Sequence, residues 1–173
     1  SRAKAVLSTQ RALCQALFNI DYIGTHAAMC SPKAVAAMIA RGHAPTTLTA
    51  VPLFHISGLH AQLLASLRAG RRLVLMHRWE PERALALIAE QKITQFNGAP
   101  AMVMQLLALP GFEDNTLSGS IAGVGFGGAG LPQRLIDEVL QRRPNSLSGV
   151  GFGLTETNGV GAGASGELFC ALP

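Results

Sequence analysis

Charge is scarce in this 173-residue chain: Lys, Arg, Asp and Glu together make up 14% of it. Beside 49% hydrophobic residues, that scarcity excludes an intrinsically disordered segment, which needs high charge and little apolar content. It also implies that much of the surface meets other protein, as in a piece of something larger. Aromatics are scarcer still, at 5%. The formal charge of +4 comes from dispersed cations such as Arg41, Arg68, Arg71, Arg72 and Arg78, with no basic run interleaved with aromatics. No nucleic-acid partner is therefore expected. Cys14, Cys30 and Cys170 are odd in number and share no metal-ligand spacing, which excludes a disulfide framework and reads as reduced thiols in a cytoplasmic protein. No stretch has the build of a signal peptide. Gly42 to Leu67 is free of Lys, Arg, Asp and Glu, but its prolines, histidines and threonines break the apolar run that a transmembrane segment requires. The chain starts at Ser1 and ends on "FCALP" without a capping element, so both ends read as cut.

Glycine and alternating apolar segments are plentiful. Ser8-Thr9 can cap a helix through Asn19, and Ser31-Pro32 opens another through Arg41. "TLTAVPLF" reads as a buried strand ending at Pro52. "GLHAQLLASLRAG" reads as a helix with Leu59, Leu63, Leu64 and Leu67 turned inward and Gly70 as its stop. "RLVLM", "ITQF", "SIAGVGF" and "SLSGVGF" read as further strands. Helices fall between them over "PERALALIAEQK", from Pro100 to Leu109, and over "LPQRLIDEVLQRR", with Leu131, Leu135, Val139 and Leu140 inward. Strand and helix in alternation predict an α/β fold, a mainly parallel sheet flanked by helices, with no internal repeat. In such sheets ligands gather where strands end and helices begin.

Three of those loops are chemically loaded. "GVGFGGAGLP" holds G-x-G-x-x-G twice, after a strand and before a helix, the context of a dinucleotide fingerprint. The acidic residue that should follow to hold a ribose is missing, since Arg142 to Thr155 contains no Asp or Glu. A tightly packed glycine turn explains the pattern as well as an NAD(P)-dependent oxidoreductase does. In "PLFHISGLH", His55 and His60 lie five apart with no acid or cysteine nearby, a poor metal pair and as readily two packed core histidines. "GFGLTETNG" brings backbone amides at Gly151 and Gly153 that can approach a phosphate or flat ring, a stacking face on Phe152, a hydroxyl on Thr155 and a hard oxygen ligand on Glu156. On its own chemistry it reads equally as a solvated turn.

The order and spacing of the three loops decide between these readings. "PLFH", "GGAGLP" and "GFGLTETN" closely resemble the adenylate-forming superfamily, the AMP-binding enzymes, whose loops read P-L-F-H-x-x-G, G-G-A-P-L-P and G-Y-G-L-T-E-T in that order. "WEPERALALIAEQKITQFNGAP" is similar to the helix and strand leading to the family's V-P-T segment. "SRAKAVLSTQRAL" resembles the tail of the family's phosphate loop, with Lys4 as its lysine. "SPKAV" mimics the same ending, but Lys33 lies too near His55 and no Gly/Thr run precedes it. The glycine fingerprint is then a decoy.

The resemblance implies an acyl-CoA synthetase that makes an acyl-adenylate from a carboxylic acid, ATP and Mg²⁺, then passes the acyl group to CoA. "ETNGVGAGASGELFCALP" leans toward fatty-acid or aryl-acid CoA ligases over peptide-synthetase adenylation domains. It implies catalytic roles for Lys4, Thr155 and Glu156, with Glu156 on the metal and Thr155 on an ATP phosphate. Gly128, Ala129 and Gly130 would line the adenine. Phe152 would stack between Gly151 and Gly153, where the family more often has Tyr. Gly130 stands where a proline is common. His55, Asn97 and Gly98 would serve the acid. The family's ribose-binding aspartate and the lysine of its mobile C-terminal domain would lie beyond this chain, so residues 1–173 would be a partial AMP-binding domain, inactive alone. A nucleotide-binding remnant without turnover is the alternative that the resemblance leaves open, and a purely structural module would leave the three loops unexplained.

Overall fold

The computed structural model describes residues 5–171. Helix α1 (Gln10–Met29) begins at Thr9, whose Oγ1 accepts from the Ala12 amide at 3.1 Å. It runs ten residues past the expected end at Asn19. A short turn at buried Ser31 leads into α2 (Pro32–Ala40), with proline in its first turn. Strand β1 (Thr46–Thr49) follows. The strand expected to reach Pro52 stops at Thr49, because proline has no amide for the sheet and the backbone turns at Pro52 to Phe54.

The next helical stretch has three pieces: α3 (Ile56–Gly58), a wider π-type turn (Leu59–Leu64) and α4 (Ala65–Arg68). After it come β2 (Arg72–Leu75), α5 (Pro81–Gln91), β3 (Gln95–Gly98) and α6 (Pro100–Leu107). A 3-10 turn (Pro110–Glu113) and α7 (Asn115–Ser118) lead to β4 (Gly123–Gly127), α8 (Gln133–Arg142) and β5 (Gly149–Phe152). A 3-10 turn (Thr155–Thr157), β6 (Ala162–Ser165) and α9 (Glu167–Cys170) complete the described chain.

The strands form one sheet in the order β2-β1-β3-β4-β5-β6. The first five run parallel; β6 turns back antiparallel on β5, pairing Ala162 with Phe152 and Gly163 with Gly151. The expected mainly parallel sheet is thus present, with an antiparallel edge that its sequence does not advertise.

The two sheet faces differ sharply. One carries Leu48, Phe96, Val124 and Phe126, which pack with Ile88, Val103, Leu106, Leu135 and Val139 from α5, α6 and α8 into the core. Phe96 is fully buried and stacks on Trp79, ring centroids 5.2 Å apart. Such a side chain is worth about 3–5 kcal/mol against truncation to alanine. On the other face the register aligns Asn97, Gly125 and Gly149, then Gly127, Gly151 and Gly163. The repeated glycines of "GVGFG" and "GVGF" are therefore strand alternation, large residues to the core and glycines to the opposite side. That face takes α1 and the π-type turn. Ile23 of α1 lies over Gly163, and a Cβ there would meet its Cγ2 at 3.2 Å.

The π-type turn changes which residues are inward. Leu67 is exposed and Leu59, Leu63 and Leu64 are only half-buried, whereas Gly58, His60, Gln62 and Ser66 are buried. A π-type winding spaces hydrogen bonds five residues apart, so a face predicted on a 3.6-residue period rotates away. The result is a polar inward surface beneath the carboxyl ends of the strands.

Candidate active site

Neighbouring parallel strands β1, β3, β4 and β5 release their following loops at one edge of the sheet. The loops carry His55, Gly128 to Gly130, and Thr155 with Glu156, while Asn97 and Gly98 are the last two residues of β3 itself. Topology alone brings every expected site residue within the described chain to this edge, on four consecutive strands. Lys4 lies outside the described residues.

The β5 loop is held from below. Gly153 packs against the returning backbone at Gly159, and a Cβ there would collide with the Gly159 carbonyl and come within 2.9 Å of the Val160 amide nitrogen. Thr157 closes the turn: its Oγ1 accepts from the Leu154 amide at 2.9 Å and donates to the Leu154 carbonyl at 3.0 Å. Thr155 and Glu156, next to it, point their chemistry to the exposed side.

Asn158 is the anchor, and sequence reasoning missed it. It is 5% exposed and left-handed, φ 53°, ψ 34°. Its Oδ1 accepts from Ser8 Oγ at 2.5 Å, and its carbonyl faces His60 Nδ1 at 3.2 Å. With Nδ1 as the donor, His60 satisfies that buried carbonyl. Ser8, expected as part of a helix cap, thus ties the segment after Lys4 to the Glu156 loop. His60, set aside as half of a poor metal pair, supports the same loop from the π-type turn. The available signal was Asn158-Gly159, a pair that favours left-handed backbone.

Asn97 is positioned by a second polar chain. Arg71 Nη1 donates to Gln95 Oε1, and Gln95 Nε2 donates to Asn97 Oδ1 at 3.3 Å. Burial pushes the Arg71 guanidinium below its ordinary pKa. Gln62 Nε2 reaches the Asn97 carbonyl at 3.4 Å from the π-type turn. The Asn97 side chain lies across Gly125, where a Cβ would collide with its Oδ1. Gly98 is buried against Phe96 and Met102.

The remaining expected residues line open space. Gly128 has φ +81°, a conformation that glycine adopts freely, and added Cβ atoms at Gly128 and Gly130 would meet nothing within 4 Å. Ala129 is exposed, as are Gly151 and Phe152, the latter 61% exposed. His55 is exposed beside Phe54, ring centroids 6.1 Å apart. Among the described residues no three His, Cys, Asp or Glu side chains come together. Glu156 is an exposed carboxylate at this edge and could hold a divalent ion.

The model of the family described as "AMP-binding enzyme" matches residues 1–169. The chain belongs to the AMP-binding enzymes. Among AMP-binding relatives, 4-coumarate–CoA ligase 3 of Arabidopsis thaliana is 37% identical over 113 residues, 65% of this chain and 20% of that protein. 4-Coumarate–CoA ligase 2 of Oryza sativa subsp. japonica is 36% identical over 119 residues, 69% of this chain and 21% of the relative. The chain thus spans about a fifth of the length of the curated relatives it matches. O-succinylbenzoate coenzyme A synthetase of Bacillus subtilis, solved in complex with ATP and magnesium ion, superposes with a TM-score of 0.60 at 30% identity, covering 78% of this chain and 27% of that one. Apo MatB of Rhodopseudomonas palustris shares the fold over 95% of this chain and 29% of its own, with a TM-score of 0.76 at 18% identity. None of the described helices is long and apolar enough to cross a membrane.

Proposed function

We propose that residues 1–173 form the adenylate-handling part of a longer ATP-dependent acyl-CoA synthetase. It would activate a carboxylic acid as the acyl-adenylate and pass the acyl group to CoA. The observation that carries this reading is the Thr155–Glu156 turn. It presents a hydroxyl and a lone carboxylate to the open side at the end of β5, next to the open glycine turn that follows β4. The coumarate ligases among the relatives support an aryl acid as the substrate class.

Adenylation joins two anions: a carboxylate oxygen attacks the α-phosphorus of ATP, and the bond to pyrophosphate breaks. Alignment and charge neutralisation are the main requirements of such a step. Glu156 would hold Mg²⁺, which supplies positive charge against the phosphates. Thr155 would donate its hydroxyl to a phosphate oxygen, and Lys4 would add a cation from the phosphate loop. Gly128, Ala129 and Gly130 leave room for the adenine to lie against backbone, with Phe152 stacking on its face and Gly151 and Gly153 allowing close approach. Asn97 and Gly98 would floor the acid pocket, and His55 would flank the path of acid and thiol.

The test is carboxylate-dependent ATP–pyrophosphate exchange by the complete reading frame encoding this chain, with parallel titrations of ATP-Mg²⁺ and NADH. Exchange with aryl acids and saturable ATP binding are expected. NADH binding without ATP binding would overturn the proposal.

A further inference from the structure

The sheet face opposite the core carries a patch of bare backbone. Within 4 Å, an added Cβ at Gly127 would meet only the Gly151 carbonyl, and one at Gly151 only the Phe126 carbonyl oxygen at 3.9 Å. Among the described residues, no side chain comes that close to either position. Strand spacing and rise make the strip between Gly125, Gly127 and Gly151 about 5 Å wide and about 7 Å long, enough for a flat ring to lie on it. Asn97, paired with Gly125 on the neighbouring strand, closes one side. The atoms nearest an added Gly125 Cβ all belong to the Asn97 side chain.

Hydrogen bonding fixes which end of the Asn97 amide is engaged. A guanidinium can only donate, so Gln95 turns Oε1 to Arg71 and Nε2 to Asn97. Asn97 answers with Oδ1, at 3.3 Å. Its Nδ2 is left over, with no partner among the described residues. That nitrogen is not sealed in either. The enclosed side-chain atoms without a partner among the described residues are Arg41 Nη1, Thr49 Oγ1 and Gln62 Oε1, and Asn97 itself is only half-buried. Gln62 steadies the same residue from the π-type turn through the Asn97 carbonyl. The result is an oriented, accessible donor beside a floor without side chains.

We infer that Asn97 is a specificity-determining residue of the acid pocket, its amide nitrogen donating to an oxygen on the ring of an aryl acid that lies over Gly125 and Gly127. Arg71 and Gln95 are the positioning residues that keep that nitrogen turned to the acid. The inference rests on the adenylation reading and adds what the pocket recognises: a hydrogen-bond acceptor on the ring, not a donor. A hydroxyl or a methoxy oxygen satisfies it. A bare ring edge leaves the amide desolvated without a partner, which weakens the unsubstituted acid.

The test is acid-dependent ATP–pyrophosphate exchange by the complete reading frame, with cinnamic acid and its 4-hydroxy and 4-methoxy derivatives. The readout is kcat/KM for each oxygenated acid relative to cinnamic acid. Both ratios should exceed one in the unaltered protein, and Asn97→Leu should shrink both about tenfold, the size of one hydrogen bond. Gln95→Glu reads the positioning chain. Its carboxylate still accepts from Arg71 but cannot donate, so Asn97 turns its nitrogen to the carboxylate and shows Oδ1 to the acid. That oxygen accepts from a hydroxyl and finds no donor on a methoxy group, so the methoxy ratio alone should fall. A merely structural role for Gln95 would lower all three acids together. Unchanged ratios in Asn97→Leu, or hydroxy and methoxy ratios that move alike in Gln95→Glu, overturn the inference. Exchange with none of the acids overturns it together with the adenylation reading, whereas exchange with a preference that ignores Asn97 overturns it alone. If either variant fails to fold, the other decides.

Discussion

Replacing Asn158 separates its two contributions to the loop that carries Glu156. The residue has left-handed backbone angles and accepts from Ser8 at 2.5 Å through its side chain, while its own carbonyl faces His60. Asn158→Gly keeps the backbone comfortable and removes only the side-chain bond, a loss of about 0.5–1.5 kcal/mol. Asn158→Ala removes the same bond and adds the left-handed penalty of a Cβ, roughly 1–2 kcal/mol more. The carbonyl bond from His60 survives in both. Glycine's greater loss of backbone freedom offsets about 0.5–1 kcal/mol of that penalty, so alanine should be worse than glycine by about 1 kcal/mol, the reverse of the usual order for these two residues in regular structure. Equilibrium urea unfolding of the two variants reads the difference directly as a lower midpoint at unchanged slope. Equal midpoints, or a glycine variant less stable than the alanine one, would refute the left-handed conformation of Asn158 on which this loop turns.

His60→Leu should cost about 1–3 kcal/mol in urea unfolding, because it leaves the Asn158 carbonyl buried without a donor. Gly125→Ala should displace the Asn97 side chain, which lies across it, and change the acid concentration dependence of adenylation more than the thermal midpoint. The Asp114 carboxyl is held below its ordinary pKa by the Thr116 amide, 2.7 Å away. A depressed folded pKa gives a stabilising share that is complete above the unfolded value and fades as pH falls through the folded one. Asp114→Asn should accordingly flatten the acid limb of the stability curve below about pH 4, read by urea midpoints across pH.

The alternation of strand and helix was legible because the core strands are short and apolar and the helices between them carry regular inward faces. Leu135 and Val139 of α8 sit where their spacing put them, and Leu131 and Leu140 are half-buried beside them. The second half of α1 was not legible, since Gly24 and Thr25 are poor helix formers. Packing overrides that preference, with Ile23 seated on Gly163 and Asp21 paired with Arg68 at 2.6 Å. Strand β6 reads "AGAS", with no branched or aromatic residue to mark it, and exists because β5 offers it a partner. At the candidate site, the motif residues that face outward could be found from the order of the loops. The supports beneath them, Ser8, His60, Gln62 and Asn158, could not: each bonds to a residue far away in the chain, and the π-type turn that brings His60 and Gln62 inward has no simple period.

The role of Glu156 tests the account most directly. Adenylation by the complete reading frame, followed by pyrophosphate release against Mg²⁺ concentration, should show a much higher Mg²⁺ requirement in Glu156→Gln, with an unchanged thermal midpoint because the side chain is exposed. An identical Mg²⁺ dependence in Glu156→Gln and the unaltered protein would contradict it.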